Sequence, residues 1–253
     1  MTKNKIVLML LLAVALATRA QTVTQMLGIG PSRILDTYLT QEHFSGTGFT
    51  YLYIKEQQKP ETPWSTIIEH EFDFSTTEDR SGNASMLEGN YNIYWGRFLQ
   101  WLISDKLRLQ AGGVANADLG FVYNMISSNN PAQARASVNI MPSGIANYAF
   151  HLWQQQFNLR YELALPLVGI MFSPNYGQSY YEIFSRGNYD HNIIPTTFIS
   201  APTFRQLLTI EWHTGKKWNL RMGYLGNYQQ AQVNNLKQHI YTHRVMLGIS
   251  RSL

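Results

Sequence analysis

Two kinds of residue in this 253-residue chain are suited to chemistry: histidines close to acids, and carboxylates at alternate positions. Glu211, His213 and Thr214 fall together, and His239 and His243 form a second group. Acyl-transfer chemistry needs a hydroxyl nucleophile beside a base that a third group orients. The sequence has no Gly-x-Ser-x-Gly element and no serine–histidine pair at a recognisable spacing, so no catalytic residue is assigned. These histidines read as interfacial or structural. Glu69, Glu71 and Asp73, with Glu88, offer oxygen ligands of the kind that calcium takes. The same pattern has a competing reading. Residues two apart share one face of a strand, and basic residues occupy equivalent positions elsewhere. Arg108, Arg160, Arg205, Arg221 and Arg244 nearly balance Glu69, Glu71, Asp73, Glu88, Glu162 and Glu211. Matched signs on one enclosed face close on themselves as ion pairs and hydrogen bonds, with no metal and no cofactor.

The elements that position these residues are strands. Arg205–His213 alternates between Gln206, Leu208, Ile210, Trp212 and Arg205, Thr209, Glu211, His213. After the turn at residues 214–217, Trp218, Leu220, Met222 and Tyr224 alternate with Asn219, Arg221 and Gly223. The chain ends on Val245, Leu247 and Ile249 against Arg244, Ser250 and Ser252. Alternation over about ten residues with charge on one side marks a transmembrane β-strand whose polar face looks into a lumen. Earlier segments repeat it. Ile68, Phe72 and Phe74 oppose Glu69, Glu71 and Asp73. Leu87, Tyr91, Ile93 and Trp95 oppose Glu88, Asn90 and Asn92. Phe157, Leu159, Tyr161 and Leu163 oppose Asn158, Arg160 and Glu162. Counting these with 32–40, 49–55, 107–116 and 134–150 gives an all-β, antiparallel up-and-down barrel of about ten strands, within a range of 8–12. Pro142 is expected to bend the sixth strand, because proline cannot donate to a ladder.

Composition agrees. Charged residues are 14% and aromatics 13%, with fifteen Tyr and six Trp. The charged share is about half that of soluble domains. Helical membrane spans need about twenty consecutive apolar residues, and after the N-terminus there is no such run. Lys3 and Lys5 precede the apolar run 6–17, and Ala20 precedes Gln21, which predicts a signal peptide over 1–20 and export to the outer membrane of a Gram-negative bacterium. A linker is expected over 21–31 and the barrel over 32–253. Loss of Lys3, Lys5 and Arg19 leaves 17 basic residues against 16 acidic ones, so the basic isoelectric point is no argument for nucleic acid. With no cysteine there is no lipoprotein anchor, disulfide or thiolate metal site.

An even strand count puts both termini at the periplasmic end. All six tryptophans (Trp64, Trp95, Trp101, Trp153, Trp212, Trp218) are then expected near that end as membrane-interface anchors. Two long external loops, 118–133 and 173–203, hold tyrosines instead. The Ala20-Gln21 junction, LGIGPSRILDTYLT at 27–40, the aromatic hairpins and the terminal MLGISRSL together resemble a Bacteroidetes family of small outer-membrane β-barrels known only as a domain of unknown function. The resemblance covers the mature chain and implies a barrel and an outer-membrane address. It brings no catalytic residues. The chain departs from many outer-membrane barrels by ending on Leu253 and not on an aromatic residue. The expected partners are outer-membrane lipid and, during biogenesis, the barrel-assembly machinery. The expected function is a non-enzymatic, porin-like envelope barrel with a polar, largely plugged lumen and a structural, adhesive or complex-forming role. A narrow channel for small polar solutes and a lipid-modifying barrel enzyme are the alternatives.

Overall fold

The computed structural model describes residues 20–58, 61–127, 130–215 and 217–253. The predicted signal peptide, Ala20 apart, lies outside them. Twelve strand segments follow in order: β1 (Ala20–Asp36), β2 (Phe44–Gln58), β3 (Trp64–Glu78), β4 (Ser85–Leu102), β5 (Leu107–Asn124), β6 (Ala132–Leu152), β7 (Gln155–Ala164), β8 (Val168–Phe172), β9 (Ile193–Thr197), β10 (Phe204–His213), β11 (Asn219–Val233) and β12 (Leu236–Ser252). One short helix, α1 (Tyr180–Phe184), sits between β8 and β9.

These twelve segments make a closed barrel of ten antiparallel strands. Each strand pairs with the next, and β1 closes on β12 with Thr22 opposite Ser252 and Leu27 opposite Leu247. Closure leaves no edge, so the backbone groups are satisfied between strands, which hydrocarbon demands. β7 and β8 are one strand interrupted at Leu165-Pro166-Leu167. Ser143 of β6 faces Ala164 and Ile140 faces Val168, so three residues on one side oppose two on the other. This is a bulge centred on the proline, which has no N–H to give the ladder. β9 and β10 likewise continue one line, broken by an excursion over 198–203 that Gln232 N–H and Gln230 Nε2 hold through the carbonyls of Ser200 and Pro202.

The strands outrun their sequence signal at several ends. Residues 21–31, expected as a linker, are the first part of β1. Their alternation is weak because Gly28, Gly30 and Pro31 interrupt it. The long loop expected over 118–133 is shortened at both ends, since Asp118–Asn124 completes β5 and Ala132 opens β6. β4 runs on to Leu102, past the alternation that ends at Trp95, and Trp95 therefore lies well inside the strand. β6 passes Pro142 without breaking, and the bulge falls on its partner.

Ala20 and Leu253 lie at one end of the barrel with residues 61–63, 103–106, 153–154, 214–215 and 217–218; this is termed the terminal end. The opposite, distal end carries 37–43, 79–84, 125–131, 173–192 and a tight turn at 234–235. Asn234 and Asn235 both have positive φ, as do Trp153 and Gln154, so each pair makes the mirror-image turn whose twist suits a two-residue hairpin. The 173–192 segment is fixed by Asn192 Nδ2 donating to Ser173 O (3.1 Å) and by Asn234 Nδ2 donating to His191 O (3.0 Å). Ser179 caps α1 and accepts from Glu182 N–H, while Glu182 accepts from Ser179 N–H at 2.8 Å. That hydrogen bond from the Ser179 backbone holds the Glu182 carboxyl below its usual range.

Side chains alternate between faces. Leu27, Ile29, Phe72, Phe74, Leu220, Met222, Val245 and Leu247 point outward and are exposed. The interior is layered. At the distal end Ile34, Phe44, Met86, Val122 and Ile240 pack together inside the barrel. Nearer the middle a larger apolar group surrounds the charged residues, including Met26, Leu52, Tyr94, Phe98, Leu207 and Met246.

The β1–β12 seam and its register are directly testable, because the chain has no cysteine of its own. Opposed strand residues lie about 4.5–5.5 Å apart at Cα, within disulfide range. Leu27→Cys with Leu247→Cys is expected to cross-link under mild oxidation and to migrate anomalously on a denaturing, non-reducing gel. Leu27→Cys with Met246→Cys, one residue out of register, is expected not to cross-link. The reverse pattern would contradict the seam.

Candidate functional site

The inner faces of the strands carry the charged residues picked out by spacing. Glu69, Glu71, Glu88, Arg160, Glu162, Arg205, Glu211, Arg221 and Arg244 are all buried, Asp73 is partly buried, and Arg108 is half-buried toward the terminal end. Nine of them form three groups, in which most ion pairs join strands distant in sequence, while Glu88 and Arg108 make no ion pair within 4 Å among the described residues.

The central group is built on Arg205 of β10. Its Nε donates to Glu71 Oε2 at 2.7 Å, its Nη2 to Glu69 Oε2 at 2.7 Å and its Nη1 to Glu162 Oε1 at 3.4 Å. The guanidinium also lies 4.8 Å from the Tyr94 ring centroid. Asn227 Nδ2 satisfies the second oxygen of Glu71 at 3.0 Å. Glu162 passes the network on, accepting from Arg160 Nη2 at 3.0 Å, and Arg160 Nη1 reaches Glu56 Oε2 at 3.1 Å. Glu69 and Glu71 sit on β3, so these bonds cross the lumen between β3 and β10.

The second group surrounds Arg244, whose side chain has no solvent exposure. Its Nη2 donates to Asp73 Oδ1 (2.7 Å), Ser32 Oγ (2.8 Å) and Ser75 Oγ (3.1 Å), and its Nε to Thr50 Oγ1 (3.1 Å). The β1–β12 register skips Gly30 and Pro31, and there both carbonyls accept from Arg244 Nη1, at 2.9 and 2.8 Å. The arginine thus completes a ladder that a proline interrupts. Gly48 makes room for it, since a Cβ there would lie 2.2 Å from Nη2.

The third group, at the terminal end, pairs Arg221 with Glu211 at 2.6 Å, and Ser250 Oγ also donates to Glu211. His213 Nε2 stands 3.6 Å from Glu211 Oε1. Serine, acid and histidine therefore meet, but the acid is in the middle, with no base beside the hydroxyl as acyl transfer needs. Thr214 Oγ1 donates to Trp218 O, closing its own turn. His239 and His243 do not act together. His239 stacks on Tyr241, with centroids 4.8 Å apart, while His243 Nδ1 lies 2.6 Å from Tyr224 OH. Among the described residues no group of three His, Cys, Asp or Glu could hold a metal ion.

Several members were not evident from spacing. Glu56 lies just past the expected strand segment 49–55, yet β2 continues to Gln58, and parity from Leu52 and Ile54 places Glu56 inside. Asn227 and Gln229 lie beyond the segment 218–224 and Asp118 lies in the expected loop 118–133, whereas Asn92, Asn116 and Asn139 fall within expected strands, and their joining as one chain depends on the register between strands. All six tryptophans lie on the outside. Trp212 Nε1 donates to Gln155 Oε1 at 3.1 Å, and Arg97 and Arg251 lie over Trp64 and Trp218.

Arg205→Met leaves two buried carboxylates without their cation. The expected loss is about 3–5 kcal/mol of barrel stability, as for breaking other buried pairs. The unfolding midpoint in detergent micelles measures it. Adding Glu71→Gln to that variant is expected to recover part of the loss, which independent residues would not show.

Similarity to solved structures is faint in sequence, and in shape the TM-scores stay below 0.5. The translocator domain of the autotransporter NalP from Neisseria meningitidis is 10% identical, with 99% of this chain and 96% of that one covered and a TM-score of 0.44. The transport unit of the autotransporter AIDA-I from Escherichia coli is 9% identical over 92% of this chain and 90% of that one, with a TM-score of 0.47. Ail, the attachment invasion locus protein of Yersinia pestis, is 10% identical over 92% and 99%, with a TM-score of 0.35. These are outer-membrane β-barrels, and the likeness extends to the fold alone. No curated protein matches the sequence. Residues 7–253 match the family described as proteins of unknown function, DUF3316, and the chain belongs to that family.

Proposed function

We propose that this protein is a non-conducting envelope barrel of the Gram-negative outer membrane, exported through a signal peptide, with its terminal end in the periplasm and its distal loops outside. One observation carries the reading. Arg205 reaches from β10 across the lumen to Glu69 and Glu71 on β3, within a surround of apolar side chains. An interior of ten strands is narrow enough for side chains to fill, whereas aqueous channels need about sixteen. An ion or solute crossing it has to break paired, desolvated charges, which costs several kcal/mol for each pair broken. The apolar layer of Ile34, Phe44, Met86, Val122 and Ile240 supports closure again at the distal end.

With the lumen closed, recognition falls to the outside. The distal segment over 173–192 presents exposed Tyr176, Tyr181, Phe184 and Tyr189 on a framework pinned by Asn192 and Asn234. Rigid loops bearing aromatic rings give large contact area at small ordering cost. A structural or adhesive role, alone or within an envelope complex, follows from that display. Trp64, Trp101, Trp153, Trp212 and Trp218 serve as interface anchors on this reading, while Trp95 lies deeper along β4.

Purified protein reconstituted into planar bilayers is expected to give no discrete conductance steps at neutral pH. Regular single-channel steps from the wild-type chain would overturn the reading in favour of a solute channel. Arg205→Ser combined with Glu71→Ser, which removes the crossing pair, is expected to raise leak conductance above that of the wild type.

A further inference from the structure

The interior of the barrel toward the terminal end holds a cavity of about 300 Å³, bordered by Glu56, Arg108, Asn147, Arg160, Glu211 and Arg221 among others. Three of these are cations and two are anions. The carboxylate oxygens are already occupied. Glu56 accepts from Gln110 Nε2 (3.0 Å) and Arg160 Nη1 (3.1 Å). Glu211 accepts from Asn219 Nδ2 (3.3 Å) on one oxygen, and from Arg221 and Ser250 on the other.

The donors are not. Arg160 is 3% exposed and Asn147 is 5% exposed, yet Arg160 Nε and Asn147 Nδ2 have no partner among the described residues. Arg108 makes no hydrogen bond or close ion pair among them either. The three form one row. Arg108 of β5 faces Asn147 of β6, and Asn147 faces Arg160 of β7. Side chains directly opposed in this way stand about 5 Å apart, so one small group can meet donors from all three strands. A buried donor left unmet costs about 1–3 kcal/mol, and a charged one costs more.

We infer that this row binds a small oxyanion, a phosphate or carboxylate group, entering from the terminal end. The chemistry selects the sign. Unmet donors around satisfied acceptors reject a cation and accept an anion, and two guanidinium groups flanking a side-chain amide suit charge-assisted hydrogen bonds to several oxygens. The site lies on the terminal side of the Arg205 network, so it does not depend on whether the lumen conducts.

Calorimetric titration of the folded full-length protein in detergent, with inorganic phosphate in one arm and acetate in the other, tests the assignment. Saturable binding is expected in at least one arm, and the arm that saturates identifies the anion class. Arg108→Gln and Asn147→Leu are each expected to weaken it by about tenfold, equivalent to about 1.4 kcal/mol. Arg97→Gln, on the outer face, is expected to leave it unchanged. Heat-modifiable gel migration verifies that each variant folds. If Asn147→Leu does not fold, Arg108→Gln decides alone, since Arg108 makes no hydrogen bond that folding would lose. No saturable binding of either anion means that water alone meets these donors, and overturns the proposal. So does binding that neither variant weakens.

Discussion

Most charges inside this narrow barrel are met by an opposite charge, several of them across the lumen, and much of the molecule is arranged around those pairs. Arg205 is the clearest case. Its guanidinium takes two carboxylates from β3 and a third from β7. Pairs of this kind are poor evidence of net stability, because desolvation offsets much of the attraction. They are better evidence of specificity. Only one pairing of strands lets Glu69, Glu71, Glu162 and Arg205 satisfy one another. A shift of one residue in either β3 or β10 would turn the partners toward lipid.

Arg244 applies the same logic to the seam where the chain meets itself. β1 and β12 are the first and last strands to be made, and their pairing closes the sheet. The proline in β1 weakens that ladder where a long arginine from β12 can reinforce it, and Gly48 on β2 leaves the space. Asp73 and Thr50 anchor the same guanidinium from β3 and β2. Four strands meet at one side chain, so closure of the barrel and burial of this charge are a single event.

Period-2 alternation made much of this architecture legible. It works best where one face is charged and the other bulky, as in Glu69–Phe74 or Arg205–His213, because lipid excludes the charges and the lumen cannot hold every large ring. It fails where the contrast vanishes. Phe49–Lys55 is apolar on both faces, since β2 lies outward against lipid and inward, through Leu52 and Ile54, against the apolar belt. Strand ends are also hidden. Over Asp118–Asn124 the outward Leu119, Phe121 and Tyr123 stay apolar, but the inward positions include Gly120 and Val122, so the polar contrast fades while the hydrogen-bonded ladder continues. The layering of the interior escaped the sequence for a related reason. Met26, Met246, Leu207 and Leu225 alternate with other apolar residues, and only the three-dimensional packing distinguishes the two faces. The row of donors at Arg108, Asn147 and Arg160 depends on register between strands, which no single strand encodes.

The length of β6 sets a boundary condition on the whole particle. Its 21 residues extend about 70 Å along the strand, at the usual rise per residue. A tilted strand needs only about ten residues to cross the hydrocarbon. Along the β5–β6 hairpin the outward Leu119, Phe121, Val138 and Ile140 are exposed and apolar, and the β8–β9 ribbon is laid along the same flank. The barrel is taller on that flank than a bare crossing requires, and its rim is lopsided rather than level.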